Sequence, residues 1–204
     1  LKTNLAKFSR MMQGQRDLVT LGNMLLAELA PLVNAQHAIV YVMEKDSDGP
    51  LLKQLSSYAD TREHAAPRCY RLNEGIIGQC AVDGRRILLD QVPEDAVHVT
   101  SGLLSARARS VIALPVLFEG QVKAVIELAS LQEFTAPHMA FLEQLTDSIG
   151  VVLNTIEATM RTERLLQQSQ ELAAELQTQQ SELQQTNEEL ATKARLLAEQ
   201  KAEV

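Results

Sequence analysis

Tryptophan is absent from this chain, and aromatic residues make up only 3% of its 204 residues. No aromatic residue follows Phe141, and the segment from Glu163 to Val204 also lacks glycine and proline. A long stretch without helix breakers or large core residues favours a regular helix. The length of the chain therefore leaves room for one ordinary domain followed by a helical appendage.

Cysteine is scarce, since Cys69 and Cys80 are the only two, and no signal-like apolar run is present. We therefore expect a reducing, cytoplasmic compartment rather than a disulfide scaffold. No stretch approaches the roughly 20 apolar residues that cross a bilayer. The net charge of -7 argues against nucleic acid, whose phosphates require a basic face, and against adsorption to a membrane surface.

Leucines recur at every seventh position near the end of the chain, at Leu176, Leu183, Leu190 and Leu197. This spacing is typical of a coiled-coil seam, and we expect a parallel homodimer. With these leucines at d, the a positions are mostly polar, and Asn187 among them favours a parallel two-stranded register at some cost in stability. The a positions are Leu166, Ala173, Gln180, Asn187, Ala194 and Lys201.

Helical spacing runs from Leu1 to Leu32 with a break near Gly14, and β-branched or alternating runs bounded by turn residues predict an α+β domain. Glu119-Gly120 is a two-residue hairpin turn of the favoured kind. The predicted strands are His37–Met43, Leu51–Tyr58, Cys69–Leu72, Ser110–Phe118 and Gln121–Ser130, with a brief apolar run at Ile87–Asp90. Helices are predicted over Gly75–Val82 and Leu103–Ala108, and a loop over Gln91–Thr100.

A final helix is predicted from Thr135, a capping residue, to the end of the chain, because Gly150 is its only breaker. It would contain roughly 70 residues and extend about 100 Å. A second apolar stripe precedes the leucine seam, and its phase differs from the seam by three residues. Either this stripe packs on its own domain, or it engages a partner helix and creates two competing packings. The stripe consists of Leu145, Ile149, Val152 and Ile156.

Five motifs follow one another in the middle of the chain: NEGIIGQCA at 73–81, RILLD at 86–90, RSVIALPV at 109–116, EGQVKAVIELAS at 119–130 and FT at 134–135. This succession resembles a GAF domain, the small-molecule sensing module of bacterial signalling proteins and phosphodiesterases, over roughly Gln15 to Met160. The resemblance implies a central antiparallel sheet flanked by helices.

The segment from Leu165 to Ala202 resembles the helix that joins a GAF domain to the kinase core of hybrid sensor histidine kinases, and Leu1–Asp17 is similar to the segment after a membrane-proximal HAMP linker. This resemblance implies a linker helix at 1–14, a GAF domain at 15–160 and a signalling coiled coil at 161–204. It also implies a longer, membrane-anchored parent that supplies the kinase core. We expect this cytoplasmic part to be regulatory and not an enzyme.

Candidate ligand-binding residues are Tyr41, Cys80, Asp90, Arg109 and Glu127. Glu127 interrupts an apolar strand, and alternation places it on one face with Lys123, Val125 and Ala129. Its carboxylate would either receive a donor from a ligand or satisfy nearby backbone and arginine groups. Tyr41 is similarly open between pocket lining and core. No cofactor is predicted, and the identity of a small-molecule ligand is unknown.

Other site chemistry finds little support. Gly75-Ile-Ile-Gly78 lacks the surrounding pattern of a phosphate loop and is expected to be a helix start packed close to the sheet. Cys69, Cys80 and His64 match no recognised zinc spacing, so no metal is predicted. His138 stands where cyclic-nucleotide GAF domains carry acidic residues, and neither cysteine has the neighbourhood of a bilin anchor.

The sequence is thus compatible with three functions for this chain. The first is a regulatory GAF dimer that couples a signal to a kinase. The second is a ligand-free spacer that only dimerises, and the third is a GAF-type sulfoxide reductase, which the shortage of cysteines disfavours. A haem site would need an axial histidine, for which His98 is the candidate.

Overall fold

The computed structural model describes residues 2–12, 14–15, 17–60, 66–90, 92, 98–100 and 105–202. These residues form four α-helices and eight β-strands. The helices are α1 (Lys2–Met12), α2 (Leu18–Leu32), α3 (Gly75–Asp83) and α4 (Ala136–Ala202). The strands are β1 (His37–Asp46), β2 (Gly49–Tyr58), β3 (Cys69–Arg71), β4 (Ile87–Asp90), β5 (His98–Thr100), β6 (Ser105–Arg107), β7 (Ser110–Phe118) and β8 (Gln121–Ser130).

The chain divides into two compact units, Leu1–Glu157 and Ala158–Val204. The first unit contains α1 to α3, the strands and the start of α4, and the second contains the rest of α4. None of the described helices combines the length and the apolar composition that a membrane span requires.

A six-stranded antiparallel sheet with the order β3-β2-β1-β8-β7-β4 forms the centre of the first unit. The turn between β7 and β8 contains Glu119 and Gly120, whose φ values are 49° and 77°. Positive φ at both positions is the requirement of the two-residue turn that matches strand twist. The predicted α+β fold with a central antiparallel sheet and a long C-terminal helix is therefore confirmed.

One face of the sheet packs against α1, α2 and the start of α4. Phe8 of α1 is buried, and its ring centroid lies 5.9 Å from that of Phe141 in α4. The apolar stripe that precedes the leucine seam belongs to this core: Leu145, Ile149 and Ile156 are buried in it, and Val152 packs against it. The stripe thus packs on its own domain, and its phase offset does not describe a second coiled-coil seam.

Two glycines are required by close backbone approach. A Cβ on Gly150 would lie 2.0 Å from the Leu117 carbonyl oxygen of β7, and a Cβ on Gly78 would lie 2.1 Å from the Arg71 carbonyl oxygen of β3. Gly150 lets α4 lie directly on β7, and Gly78 lets α3 lie against β3. The Gly75-Ile-Ile-Gly78 motif is accordingly a packing feature, as expected.

The helix predicted over Leu103–Ala108 is wrong for the residues that the structure describes there. Ser105–Arg107 forms β6, which pairs antiparallel with β5, His98 lying opposite Arg107. The partner strand β5 is close in sequence, but it lies within the stretch predicted as a loop, so the pairing is not predicted. Residues 101–104, 91 and 93–97 lie outside the described residues, as does His64.

Candidate functional site

Glu127 lies in the middle of β8, on the face of the sheet that α3 covers. The strand register places Ile39 of β1 and Ala113 of β7 directly opposite it on its two sides. Both neighbours belong to the apolar cluster beneath α3, while Val111 and Ala129 belong to the next cluster on the same face. The structure therefore holds a single carboxylate between two apolar clusters.

Tyr41 of β1 is the direct partner of this carboxylate. Its hydroxyl donates a hydrogen bond of 3.0 Å to Glu127 Oε2. Tyr41 is completely buried and Glu127 is half-buried. Burial raises the pKa of Glu127, against the opposing effects of the Tyr41 hydrogen bond and the Arg68 charge. Burial and the nearby carboxylate also raise the pKa of Tyr41.

The polar contacts continue from Tyr41 to the end of the sheet. Arg68, immediately before β3, interacts with the Tyr41 hydroxyl. Its Nη2 lies 3.7 Å from Asp60 Oδ1, and that oxygen lies 3.9 Å from His37 Nε2. Burial lowers the pKa of His37, although the Asp60 charge opposes this effect. We call His37, Asp60, Arg68, Tyr41 and Glu127 the polar chain.

Two further contacts hold the polar chain in place. The Arg68 backbone is fixed by Gln54: the Gln54 N–H donates to the Arg68 carbonyl at 2.8 Å, and the Arg68 N–H donates to Gln54 Oε1 at 3.2 Å. The ring of Tyr70 packs edge-on against that of Tyr41 with a centroid distance of 5.4 Å. These contacts with neighbouring strands thus restrict the positions that the Arg68 and Tyr41 side chains can take.

Lys123 does not share the face of Glu127, contrary to the prediction from alternation. The register between β7 and β8 shifts, with Val116 opposite Ala124 and Leu117 opposite Val122, so that Lys123 is an extra residue at a β-bulge. Its Nζ lies 3.0 Å from Glu157 Oε2 of α4. Because the bulge resets the alternation, the carboxylate of Glu127 has no lysine beside it on β8.

The other three candidate ligand residues engage different groups. Cys80 of α3 is completely buried in the same apolar cluster as Tyr41, and burial raises the pKa of its thiol to about 12. Asp90, at the end of β4, accepts a hydrogen bond of 3.2 Å from Ser110 Oγ. Arg109 is exposed, and its Nε donates to Glu133 Oε1 at 3.1 Å. Of the five, Tyr41 and Glu127 are the pair joined by a hydrogen bond within the described residues, and Cys80 shares the apolar cluster of Tyr41.

A second candidate surface lies on the helix of the second unit. The predicted seam residues Leu166, Leu176, Leu183 and Leu190 are 57–64% exposed in the single chain. Asn187 lies on the same helix and is also exposed, while the side chain of Leu197 lies outside the described residues. Large apolar side chains at regular helical spacing are therefore left uncovered.

The family model of the GAF domain matches residues 15–154. The chain belongs to the GAF domain family. The region that matches contains the sheet, α2, α3 and every member of the polar chain. A search of the curated proteins finds no significant match to this GAF protein.

Solved GAF structures superpose on the chain at low sequence identity. The GAF domain of an Acinetobacter phosphoenolpyruvate-protein phosphotransferase has a TM-score of 0.62 and 15% identity, over 76% of this chain and 93% of that one. Residues 122 to 287 of a methyl-accepting chemotaxis protein give 0.58 and 15%, over 74% and 98%. The free methionine-R-sulfoxide reductase of Neisseria meningitidis, in complex with its substrate, gives 0.56 and 15%, over 76% and 89%. At these identities the likeness shows the GAF fold alone.

Sequence reasoning missed Arg68, Asp60 and His37 as neighbours of the Tyr41–Glu127 pair in this GAF domain. They come from the start of β1, the end of β2 and the approach to β3, which only the folded sheet brings together. No local motif marks them. The position of Arg68, an arginine directly before a predicted strand, is the one signal that could have drawn attention to it.

Proposed function

We propose that this chain is a regulatory sensor module. Its GAF domain binds a small molecule against Glu127 and Tyr41, and its C-terminal helix pairs with a second copy as a parallel coiled coil that controls a kinase core elsewhere in a longer cytoplasmic chain. The observation that carries the sensing role is the carboxylate of Glu127, held by one buried hydroxyl between two apolar clusters.

The setting of Glu127 supports binding rather than a purely structural role. A buried ionisable group without a matching ion pair costs stability, and an apolar residue would pack the sheet face at least as well. Charged side chains with perturbed pKa values in such surroundings are characteristic of functional sites. The sensing role accounts for the retention of this carboxylate in the centre of the sheet.

The exposed leucines support the output role. Glu171, Glu175, Glu182, Glu188 and Glu189 all fall at b, c or f when Leu176 is placed at d. The a, d, e and g positions of this stretch carry no charge, so two chains can meet there without opposing carboxylates. The chemotaxis protein whose solved structure resembles this chain is a signalling protein, which is consistent with a regulatory module.

The sulfoxide reductase alternative has weaker support, although a reductase shares the fold. The nucleophile in thiol chemistry is the thiolate. Cys80 is completely buried and burial raises the pKa of its thiol to about 12, so it is a thiol at neutral pH. Cys69 is exposed on β3, and its Sγ lies 3.7 Å from the Pro67 carbonyl oxygen.

Thermal unfolding across a panel of metabolites tests the sensing role. At least one compound is expected to stabilise the wild-type chain and to have a much smaller effect on Glu127→Gln. Glu133→Gln, which removes an exposed glutamate of the same unit, is the matched control and should respond as the wild type does. A chain that no compound stabilises, or that responds equally with Gln at 127, would favour the ligand-free spacer.

Thiol labelling separates the sensor from the reductase. Cys69 should react with a maleimide at pH 7 while Cys80 reacts only on unfolding, because Cys80 is buried. The double variant Cys69→Ser, Cys80→Ser should keep the metabolite response. Loss of a measurable methionine sulfoxide reductase activity in that variant would contradict the sensor assignment.

A further inference from the structure

Only part of the hydrogen-bonding capacity of Glu127 is used by the protein. Oε2 accepts from Tyr41, and among the described residues no other group hydrogen-bonds to this carboxylate. A carboxylate has about four acceptor sites on its two oxygens. Glu127 is half-buried, and Oε1 is not among the fully buried side-chain atoms without a partner in the described part of the chain. The carboxylate can accept further hydrogen bonds from a bound molecule.

The positive charge that acts on Glu127 is that of Arg68, which also contacts other groups. The guanidinium of Arg68 lies 3.7 Å from Asp60 Oδ1 and also interacts with the Tyr41 hydroxyl. Across the described part of the chain, Glu127 forms no ion pair with a lysine, arginine or histidine. The charge of Arg68 favours the ionised form of Glu127, but no ion pair joins these two side chains in the described part of the chain.

The surroundings of the carboxylate are apolar. Ala113, opposite Glu127 on β7, has a short side chain, and Ile39 flanks the other side. Ile76 of α3 packs against both apolar clusters of this face. Of the two tyrosine rings that pack edge-on here, that of Tyr41 is completely buried and that of Tyr70 is half-buried.

We propose that the Glu127 site selects a small organic cation with N–H donors, such as an ammonium or amidinium group on a short apolar body. The nitrogen donates to Glu127, which supplies the counter-charge, and the apolar part packs on the partly exposed Ile76 of α3. This ligand class rests on the sensing role proposed above. A carboxylate or phosphate ligand would instead face Glu127 with like charge.

Three probes of nearly equal shape test the charge preference: benzamidinium, neutral benzamide and anionic benzoate. Each is titrated into the 204-residue chain and followed by saturation-transfer NMR. Benzamidinium is expected to bind the wild type in preference to the other two. Its affinity should fall about tenfold in Glu127→Gln, since a hydrogen bond to a charged group is lost. Glu133→Gln serves as the control and should bind as the wild type does.

The comparison within the wild type keeps the test decisive even where a variant folds poorly. Glu127-dependent binding of benzoate or benzamide in preference to benzamidinium would overturn the cation class while leaving a ligand site in place. Equal benzamidinium binding by wild type and Glu127→Gln would also overturn it. Absence of binding by all three probes counts against the cation class, and the metabolite panel then decides the sensing role separately.

Discussion

The two parts of α4 use the same kind of apolar periodicity in opposite ways. Before Glu157, Ile149 is 2% exposed and contributes to the core beside the sheet; after Ala158, Leu183 is 64% exposed. The apolar stripe of the first part is buried by contacts within one chain. The leucines of the second part stay largely exposed in the single chain. Apolar spacing alone therefore identifies a helix, but only the folded structure tells which stripe is still available to a partner.

The strongest test of this contrast is Gly150→Ala. The new Cβ would meet the Leu117 carbonyl oxygen at 2.0 Å, which forces α4 away from β7. A loss of about 4 kcal/mol or more in the free energy of unfolding of the first unit is expected, as for other severe steric conflicts in a core. Urea denaturation followed by near-UV circular dichroism measures it.

Gly22→Ala is the matched control for Gly150→Ala. Gly22 is also helical and buried, but its new Cβ would meet the Ser56 side chain, with Oγ at 2.4 Å, rather than backbone. A hydroxyl can rotate away, so this loss should be clearly smaller. Equal losses in the two variants would contradict the close packing of α4 on β7.

Leu183→Pro acts on the other part of the helix. Proline inside a helix costs about 3 kcal/mol and also removes one leucine of the seam. We expect the dimer to dissociate, as measured by light scattering coupled to size exclusion, while the denaturation of the first unit is unchanged. Glu182→Ala, at a position outside the seam, should remain dimeric. A wild-type chain that is monomeric at tens of micromolar would contradict the proposed pairing.

Tyr41→Phe tests the polar chain in the first unit. The variant keeps the ring but removes the hydroxyl that donates to Glu127 and contacts Arg68. A loss of about 1–2 kcal/mol in the free energy of unfolding is expected, because the carboxylate keeps its burial and loses its donor. Tyr58→Phe is the control at a half-buried tyrosine of β2. Similar losses in both variants would argue against a special role of the Tyr41 hydroxyl.

Glu127→Gln gives the smallest change, and its direction depends on pH. Burial raises the pKa of Glu127, so ionisation is less favourable in the folded chain than in the unfolded one. Below the unfolded value, about 4.3, the residue is protonated in both states and carries no penalty. As the pH rises through the pKa of Glu127 in the folded state, the side chain must ionise where it is partly buried, and the folded chain loses stability relative to the unfolded one. The glutamine variant should therefore gain stability relative to wild type between pH 4 and pH 7, as measured by urea denaturation.

Glu133→Gln is the control and should differ little in stability from wild type, because its carboxylate is exposed and its ion pair with Arg109 is worth little. A stability difference between wild type and Glu127→Gln that stays constant with pH would indicate that Glu127 is not destabilised by ionisation in the folded chain.

Much of the fold follows from local sequence. The hairpin of β7 and β8 is predicted because Glu119-Gly120 separates two apolar runs, and the break between α1 and α2 is predicted from Gly14. By contrast, Ser105–Arg107 becomes a strand through pairing with β5, and three-residue strands such as these are too short to show an alternating pattern. The bulge at Lys123 likewise depends on how β8 pairs with β7.

The site is less predictable than the fold for a similar reason. Glu127 and Tyr41 stand out because a carboxylate interrupts an apolar strand and a tyrosine occupies a central one. Arg68 and Asp60 are polar residues in ordinary sequence surroundings, and their role as neighbours arises only when β1, β2 and β3 align. Asp90 binds Ser110 instead, a contact that depends on strand register.

Native mass spectrometry of the purified chain tests the central claim most directly. The account predicts a dimer that carries a small molecule, and a Glu127→Gln protein that remains dimeric but has lost that added mass. A chain with the mass of the protein alone, both as purified and after incubation with the metabolite panel, would contradict the claim that this GAF domain is a sensor.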